Sequence, residues 1–326
     1  MVEANGRHWP QPNYVYFNAE NRGLTKRLQL GSYETTAYTV KLADIDADGD
    51  LDIVQASDKQ ENQLYLNDGT GQFGLALLFG EIKSNTRSIE VADVNKDGAL
   101  DILEISRGSP NYLFINEGTG HFAGMENAEK LKSIPFGDLS DRTLAVKAID
   151  MNDDGHVDLV LANRDGGQNK ILLGNGDLQF MTAIPFGSGE DDTRGLVVAD
   201  MNGDGRPDIV TANIGEANEV ILNKGTGKFE RLRLFGASSG HSYAILAHDL
   251  DGDTDMDIVI GNVGDKNRVF INDGEGQLSL LAEFGSVDDA TYALGIGDVN
   301  GDGRPDIIAG NSKSANKVYY QFARSD

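Results

Sequence analysis

The chain has 326 residues, a formal net charge of −24, 40 glycines, 7 prolines and no cysteine. Lack of cysteine excludes disulfides, thiolate metal sites and thiol catalysis, and the strong negative charge argues against nucleic acid, whose phosphates it would repel. Hydrophobic residues make up 39%, enough for a core and too many for a disordered acidic chain, and no apolar run reaches the length of a membrane helix.

In chain order, residues 2–31 read as the second, third and fourth strands of a repeat that has no first strand and no acidic loop. The start lacks a basic stretch followed by an apolar one, so no signal peptide is visible; the expectation is that the natural chain begins further upstream. An alternating apolar stretch then leads into "DIDADGDLD" at residues 44–52. Asp44, Asp46 and Asp48 stand at alternate positions, Gly49 permits a sharp turn and Asp52 closes the loop. Short carboxylates in this spacing supply hard oxygen ligands on a tight turn, the chemistry of a calcium loop. The residues that follow, "DIVQAS", form a β-like run, which excludes a helix-flanked loop. The alternative for a single copy is a solvated acidic turn.

The loop returns at 93–101, 150–158, 200–208, 249–257 and 298–306, with first-Asp spacings of 49, 57, 50, 49 and 49. Each copy is followed by a "DIVxAN"-like run, an Asn-led strand, a glycine turn and a short strand. In five repeats that strand ends in Phe-Gly. The 57-residue spacing arises from an eight-residue insertion within "AGMENAEKLKS" (123–133). Four short strands per unit at a period near 50 residues predict an all-β propeller of four-stranded blades. A single domain over 1–326 would comprise units at about 1–32, 33–82, 83–138, 139–189, 190–238, 239–287 and 288–326, the first and last incomplete. Seven blades are expected; the alternative is six, with "LTKRLQLG" (24–31) completing the last blade.

D-x-[DN]-x-D-G-x-x-D, "DIVxAN", N-x-[VL]-x-x-N-x-G-x-G-x-F and a closing Phe-Gly resemble the FG-GAP/VCBS repeats, which form the propeller of integrin α subunits and of many bacterial secreted proteins. The resemblance covers nearly the whole chain. It implies up to six Ca²⁺ ions, held by side chains at loop positions 1, 3, 5 and 9 and by the position-7 carbonyl. The first loop would use Asp44, Asp46, Asp48 and Asp52 with the carbonyl of Asp50. The second would use Asp93, Asn95, Asp97 and Asp101 with Ala99, and the third Asp150, Asn152, Asp154 and Asp158 with His156. The fourth would use Asp200, Asn202, Asp204 and Asp208 with Arg206. The fifth would use Asp249, Asp251, Asp253 and Asp257 with Asp255, and the sixth Asp298, Asn300, Asp302 and Asp306 with Arg304. Thr254 stands where the other loops have glycine, and a β-branched residue resists positive φ, so this loop is expected to bind more weakly or be distorted. The six loops carry 23 carboxylates against the net charge of −24; without cations such crowding opposes compactness.

Six residues before each loop's first Asp stand Tyr38, Arg87, Leu144, Arg194, Tyr243 and Tyr292. Tyr and Arg favour recognition surfaces through stacking and forked hydrogen bonding. With Trp9 from "GRHWPQP", they define a candidate ligand face opposite the acidic loops. The competing reading is a solvated channel mouth. The five histidines, His8, His121, His156, His241 and His248, occupy different phases of the repeat, and no catalytic motif is legible, so no enzyme is expected. The expectation is a secreted, cell-surface or periplasmic calcium-binding module for a glycan or protein ligand, neither nucleic-acid-binding nor membrane-inserted. The alternatives are a calcium-dependent polysaccharide lyase or hydrolase, and a structural spacer within a larger surface protein.

Overall fold

The computed structural model describes residues 1–3, 5, 10–18, 24–74, 76–80, 85–118, 120, 122 and 133–321, and every element among them is a strand. The insertion at 123–132 and residues His8, Trp9 and His121 lie outside the described residues.

The described residues form seven antiparallel sheets, each built in sequence order. The first contains β1 (Val2–Glu3), β2 (Gln11–Asn18) and β3 (Leu24–Thr35). The second contains β4 (Ala37–Ala43), β5 (Asp52–Ser57), β6 (Asn62–Tyr65) and β7 (Leu77–Phe79). The third contains β8 (Thr86–Ala92), β9 (Asp101–Ser106), β10 (Asn111–Phe114) and β11 (Ser133–Phe136). The fourth contains β12 (Thr143–Ile149), β13 (Asp158–Asn163), β14 (Asn169–Leu173) and β15 (Thr182–Phe186). The fifth contains β16 (Thr193–Ala199), β17 (Asp208–Asn213), β18 (Asn218–Asn223) and β19 (Phe229–Phe235). The sixth contains β20 (Ser242–His248), β21 (Asp257–Asn262), β22 (Asn267–Asn272) and β23 (Leu278–Phe284). The last contains β24 (Thr291–Gly297), β25 (Asp306–Asn311) and β26 (Lys317–Tyr319). This is the strand arrangement of a seven-bladed β-propeller. The six-bladed alternative is corrected: "LTKRLQLG" lies in β3, which pairs within the first sheet and not with β26.

The chain forms two compact units. The first holds the sheets of β1 to β15 apart from short segments around residues 18–25 and 162–169; the second holds the sheets from β16 onward. Within each, burial follows strand position. The "DIVxAN" strands β5, β9, β13, β17 and β21 are buried at every residue, because they have a sheet packed on both faces. Alternate side chains point to opposite faces, so β9 sends Ile102 into one core, with Val54 and Phe79, and Leu103 and Ile105 into the next, with Val146 and Leu161. That explains a continuous apolar run where a half-exposed strand would alternate. Burying each such Ile or Leu contributes about 1.5–3 kcal/mol. The fourth strands are largely exposed, as in β23.

The Asn-led third strands form polar seams. Asn111, Asn169 and Asn267 each accept, through Oδ1, the backbone N–H of the residue ending the preceding strand, at 2.7 to 2.9 Å. Their Nδ2 groups donate to Thr143, Thr193 and Thr291, which open the next sheet, at 3.2, 2.8 and 2.9 Å. The closing Phe-Gly has a backbone cause: Gly80, Gly137, Gly187, Gly236 and Gly285 all have φ between 74° and 82°, a region that costs glycine nothing.

Candidate metal loops and recognition surface

Each acidic loop leaves a first strand and enters a second, and its carboxylates first of all build the turn. Asp44 accepts the N–H groups of Asp48 and Gly49 at 3.1 and 3.0 Å, and Asp48 accepts that of Asp50 at 2.9 Å. The pattern repeats for Asp93 with Asp97 in the second loop and for Asp298 with Asp302 in the sixth. Position 9 is fully buried: Asp52, Asp101, Asp158, Asp208, Asp257 and Asp306 are 0% exposed. Asp52 accepts backbone N–H groups from Ile45 and Asn67, both at 2.8 Å, tying the loop to the end of the third strand. The same pair of bonds recurs in every loop. Burial pushes Asp101 and Asp208 up to about 6, against the pull of these N–H donors. This anchoring role was not read from the sequence, although the invariant spacing from position 1 to position 9 carried its signal.

Two loop positions adopt positive φ. Position 6 does so as expected, and Thr254 follows the glycines, with φ 81° against 97° for Gly49 and 82° for Gly303. Thr254 N–H still reaches Asp249 at 3.0 Å. Position 4 also lies in the left-handed region, at Ala47, Lys96 and Asp153 (φ 59°, 60° and 61°) and at a glycine in the other three loops.

The loops divide into two chemical kinds. In the second, third, fourth and sixth, the position-3 Asn95, Asn152, Asn202 and Asn300 donate Nδ2 to the position-5 Asp, at 2.7 to 3.2 Å. Arg206 adds a salt bridge to Asp204 at 2.5 Å and Arg304 one to Asp302 at 3.5 Å. The first and fifth loops have Asp46 and Asp251 at position 3, which donate nothing. Carboxylate oxygens of Asp44, Asp46 and Asp48 lie within 4.8 Å of one another, as do those of Asp249, Asp251 and Asp257. Asp46 Oδ1 is buried without a hydrogen-bond partner, and desolvation, with Asp48 and Asp44 nearby, raises the pKa of Asp46. An all-oxygen, acceptor-only donor set with a buried orphan oxygen fits a hard divalent cation.

At the other end of the first strands, Tyr38, Arg87, Arg194, Tyr243 and Tyr292 share a feature that the sequence does not show. Each falls at a register shift: between Ala37 and Thr39, Thr86 and Ser88, Thr193 and Gly195, Ser242 and Ala244, and Thr291 and Ala293. A β-bulge inserts an extra residue and re-aims its side chain. The first strands of adjacent sheets lie against each other, β4 with β8, β16 with β20 and β20 with β24, so the bulged side chains meet. The Arg87 guanidinium lies 4.2 Å from the Tyr38 ring centroid and is held by Asp58 at 2.7 Å. In the second unit Arg194 lies 6.0 Å from the Tyr243 ring, which meets Tyr292 edge-on at 4.9 Å. Leu144, at the same position of β12, is 3% exposed and joins no ladder. Trp9 lies outside the described residues. His241 pairs with Ile214 as an isolated bridge, and His248 ends β20 opposite Asp257.

Comparison with known proteins follows the same repeat. A sequence model of the FG-GAP-like repeat matches residues 44–104, 93–160, 150–211, 200–260 and 249–309. No curated protein matches the chain significantly in sequence. Among solved structures, the BP39L lectin from Burkholderia pseudomallei is similar with a TM-score of 0.68 and 11% identity, over 97% of this chain and 94% of that one. BBS1N, crystallised in complex with ARL6DN, is similar with a TM-score of 0.59 and 14% identity, over 94% and 86%. The WD40 β-propeller domain of Doa1 is similar with a TM-score of 0.59 and 14% identity, over 97% and 88%. At these identities the likeness is one of fold.

Proposed function

Because the chain belongs to the FG-GAP-like repeat family, we propose that it is a calcium-stabilised propeller acting as an extracellular binding module for a glycan or protein partner, without chemistry of its own. The observation that carries this reading is the set of bulge-aimed Tyr and Arg side chains, gathered into two ladders at the end of the strands opposite the acidic loops. Residues that merely closed a strand would not need an inserted position in five first strands. Stacked Arg–Tyr pairs present a flat, donor-rich surface at little entropic cost. The structural neighbours include a lectin and a propeller crystallised with a protein partner, which is compatible with either ligand class.

Calcium would be held first by Asp44, Asp46 and Asp48 and by Asp249, Asp251 and Asp257. Bound there, it would supply positive charge to carboxylates that otherwise repel each other. The chain's own carboxylates already hold the turn geometry through backbone N–H groups, so the donor sets are preorganised. Extracellular calcium modules bind with a Kd of roughly 10⁻⁴ to 10⁻³ M, a range suited to a protein outside the cell.

The test is binding to a glycan array and to candidate partner ectodomains. Arg194→Ala and Tyr243→Ala should each abolish the interaction while leaving the melting temperature nearly unchanged. Retention of binding by both variants would remove this surface from the reading.

A further inference from the structure

The third strand of most repeats ends in, or is followed two residues later by, an amide side chain: Asn18, Asn67, Asn116, Asn223, Asn272 and Gln321 occupy that place. Four of them reach the position-2 carbonyl of a neighbouring sheet's acidic loop: Asn116 to Ile45, Asn272 to Met201, Gln321 to Leu250 and Asn18 to Val299, at 2.7 to 3.0 Å. In the fourth sheet the residue is Gly174. Its backbone keeps the bond to Asp158 at 2.8 Å, but it packs so close to the Val157 carbonyl that a Cβ would run into that oxygen. Glycine sends no amide toward Val94, the counterpart of Ile45 and Met201. There the sheets leave a cleft of about 280 Å³.

The cleft has an apolar floor and a polar rim. Val94, Leu178 and Phe180 form the floor; Lys96, His156 and Asn175 stand on the rim. Lys96 Nζ donates to the Gly155 carbonyl at 2.5 Å, spanning the edge from one acidic loop to the next. We propose that this cleft is a carbohydrate subsite for one neutral pyranose ring, its C–H face on Phe180 and Leu178 and its hydroxyls on Lys96, His156 and Asn175. The proposal rests on the reading of the protein as a glycan-binding module and adds a site at the end of the sheets opposite the Tyr/Arg ladders.

Three observations select this ligand. The volume of about 280 Å³ falls just below the range of drug-sized ligand sites, about 300 to 1,000 Å³; it suits a single ring and not a peptide segment. The rim mixes donors and acceptors around an aromatic side chain, as a ring with one apolar face and polar edges requires. The one cation on the rim, Lys96, stands between two acidic loops that together carry seven carboxylates, three at 93–101 and four at 150–158. A phosphate or carboxylate would therefore find no net positive field.

The test is an NMR titration of the calcium-loaded protein with methyl β-glucopyranoside, methyl α-mannopyranoside and N-acetylglucosamine. One of these probes should give saturable shifts confined to residues 94–96, 155–157 and 174–180, with a Kd of roughly 1–10 mM, as fits a small ligand in a small site. Phe180→Ala should weaken binding at least tenfold. Asn175→Trp, which fills the mouth from an exposed position but removes the acceptor of the Asp177 and Gln179 N–H groups, should do the same with at most a small fall in the melting temperature. Absence of saturable shifts at these residues with all three sugars, or unchanged binding in both variants, overturns the proposal. Sugar binding lost in Arg194→Ala but intact in both cleft variants would also overturn it, while leaving the glycan-module reading standing.

Discussion

The Asn116 side chain donates to the carbonyl of Ile45, 71 residues earlier, at 2.8 Å, and to that of Leu100 at 3.1 Å. One buried amide thus joins the acidic loops of two adjacent sheets. Asn116→Ala leaves buried carbonyls without this donor, at a cost of about 1–3 kcal/mol. Urea unfolding should show a lower midpoint with an unchanged slope. A loss below about 0.5 kcal/mol, the scatter of neutral surface changes, would mean that the staple contributes nothing.

Removing calcium should lower thermal stability. At ten times Kd, each independent site contributes about 1.4 kcal/mol. Calorimetric titration should show the first and fifth loops filling before the others, since Asp46 and Asp251 add charge where the remaining loops have an amide already bonded to its neighbour; Thr254 keeps a glycine-like φ of 81°, so the weaker binding expected of the fifth loop from its sequence is not expected from its geometry. Asp46→Asn gives the first loop the position-3 amide of the later-filling loops and should turn one early site into a late one. An EDTA-treated protein with an unchanged melting midpoint would refute the calcium reading.

Asp52→Ala should cost more than Asp50→Ala, with or without calcium. Asp52 is fully buried and accepts two backbone N–H groups; truncation strands both, at about 1–3 kcal/mol each. Asp50 is half-exposed, and alanine keeps its carbonyl. Chemical denaturation in EDTA separates this anchoring from ligation: equal midpoints for the two variants would argue against it.

Thr254→Gly should stabilise the protein. Threonine at φ 81° carries strain of about 1–3 kcal/mol, while glycine's extra chain entropy costs about 0.5–1 kcal/mol. A melting temperature raised by a degree or two is the expected outcome; a drop would show that the threonine side chain contributes more than its backbone strain costs.

Lys317 donates to both oxygens of Asp289, at 2.8 and 2.7 Å, and holds its carboxyl below the usual range, with Ser314 and the Ser286 N–H adding to the effect. A depressed folded pKa contributes stability that is present above about pH 4, the unfolded carboxyl's value, and is lost as pH falls through the lower folded value. Asp289→Asn should therefore flatten this part of the acid limb between about pH 4 and 2. An acid limb identical to that of the parent protein would exclude the pair from it.

Repeat period, strand order and acidic loops were legible in the chain because they are local: a turn needs its glycine and its short carboxylates at fixed spacing wherever it occurs. Seven sheets over six could be argued from the partial repeats at 2–31 and 288–326, but pairing decided it, since β3 had two candidate sheets, the first and the last. The positions of Tyr38, Arg87, Arg194, Tyr243 and Tyr292 were visible, yet their meeting depends on bulges, and a bulge is a property of two paired strands that neither strand spells out alone. The double duty of Asp52 and its counterparts was hidden for the same reason: their partners, such as Asn67, arrive from a different strand. Gly174 is one glycine in a column of amides, a departure that was not read from the sequence because only packing turns a missing side chain into a cleft: empty space belongs to the surfaces that fail to fill it.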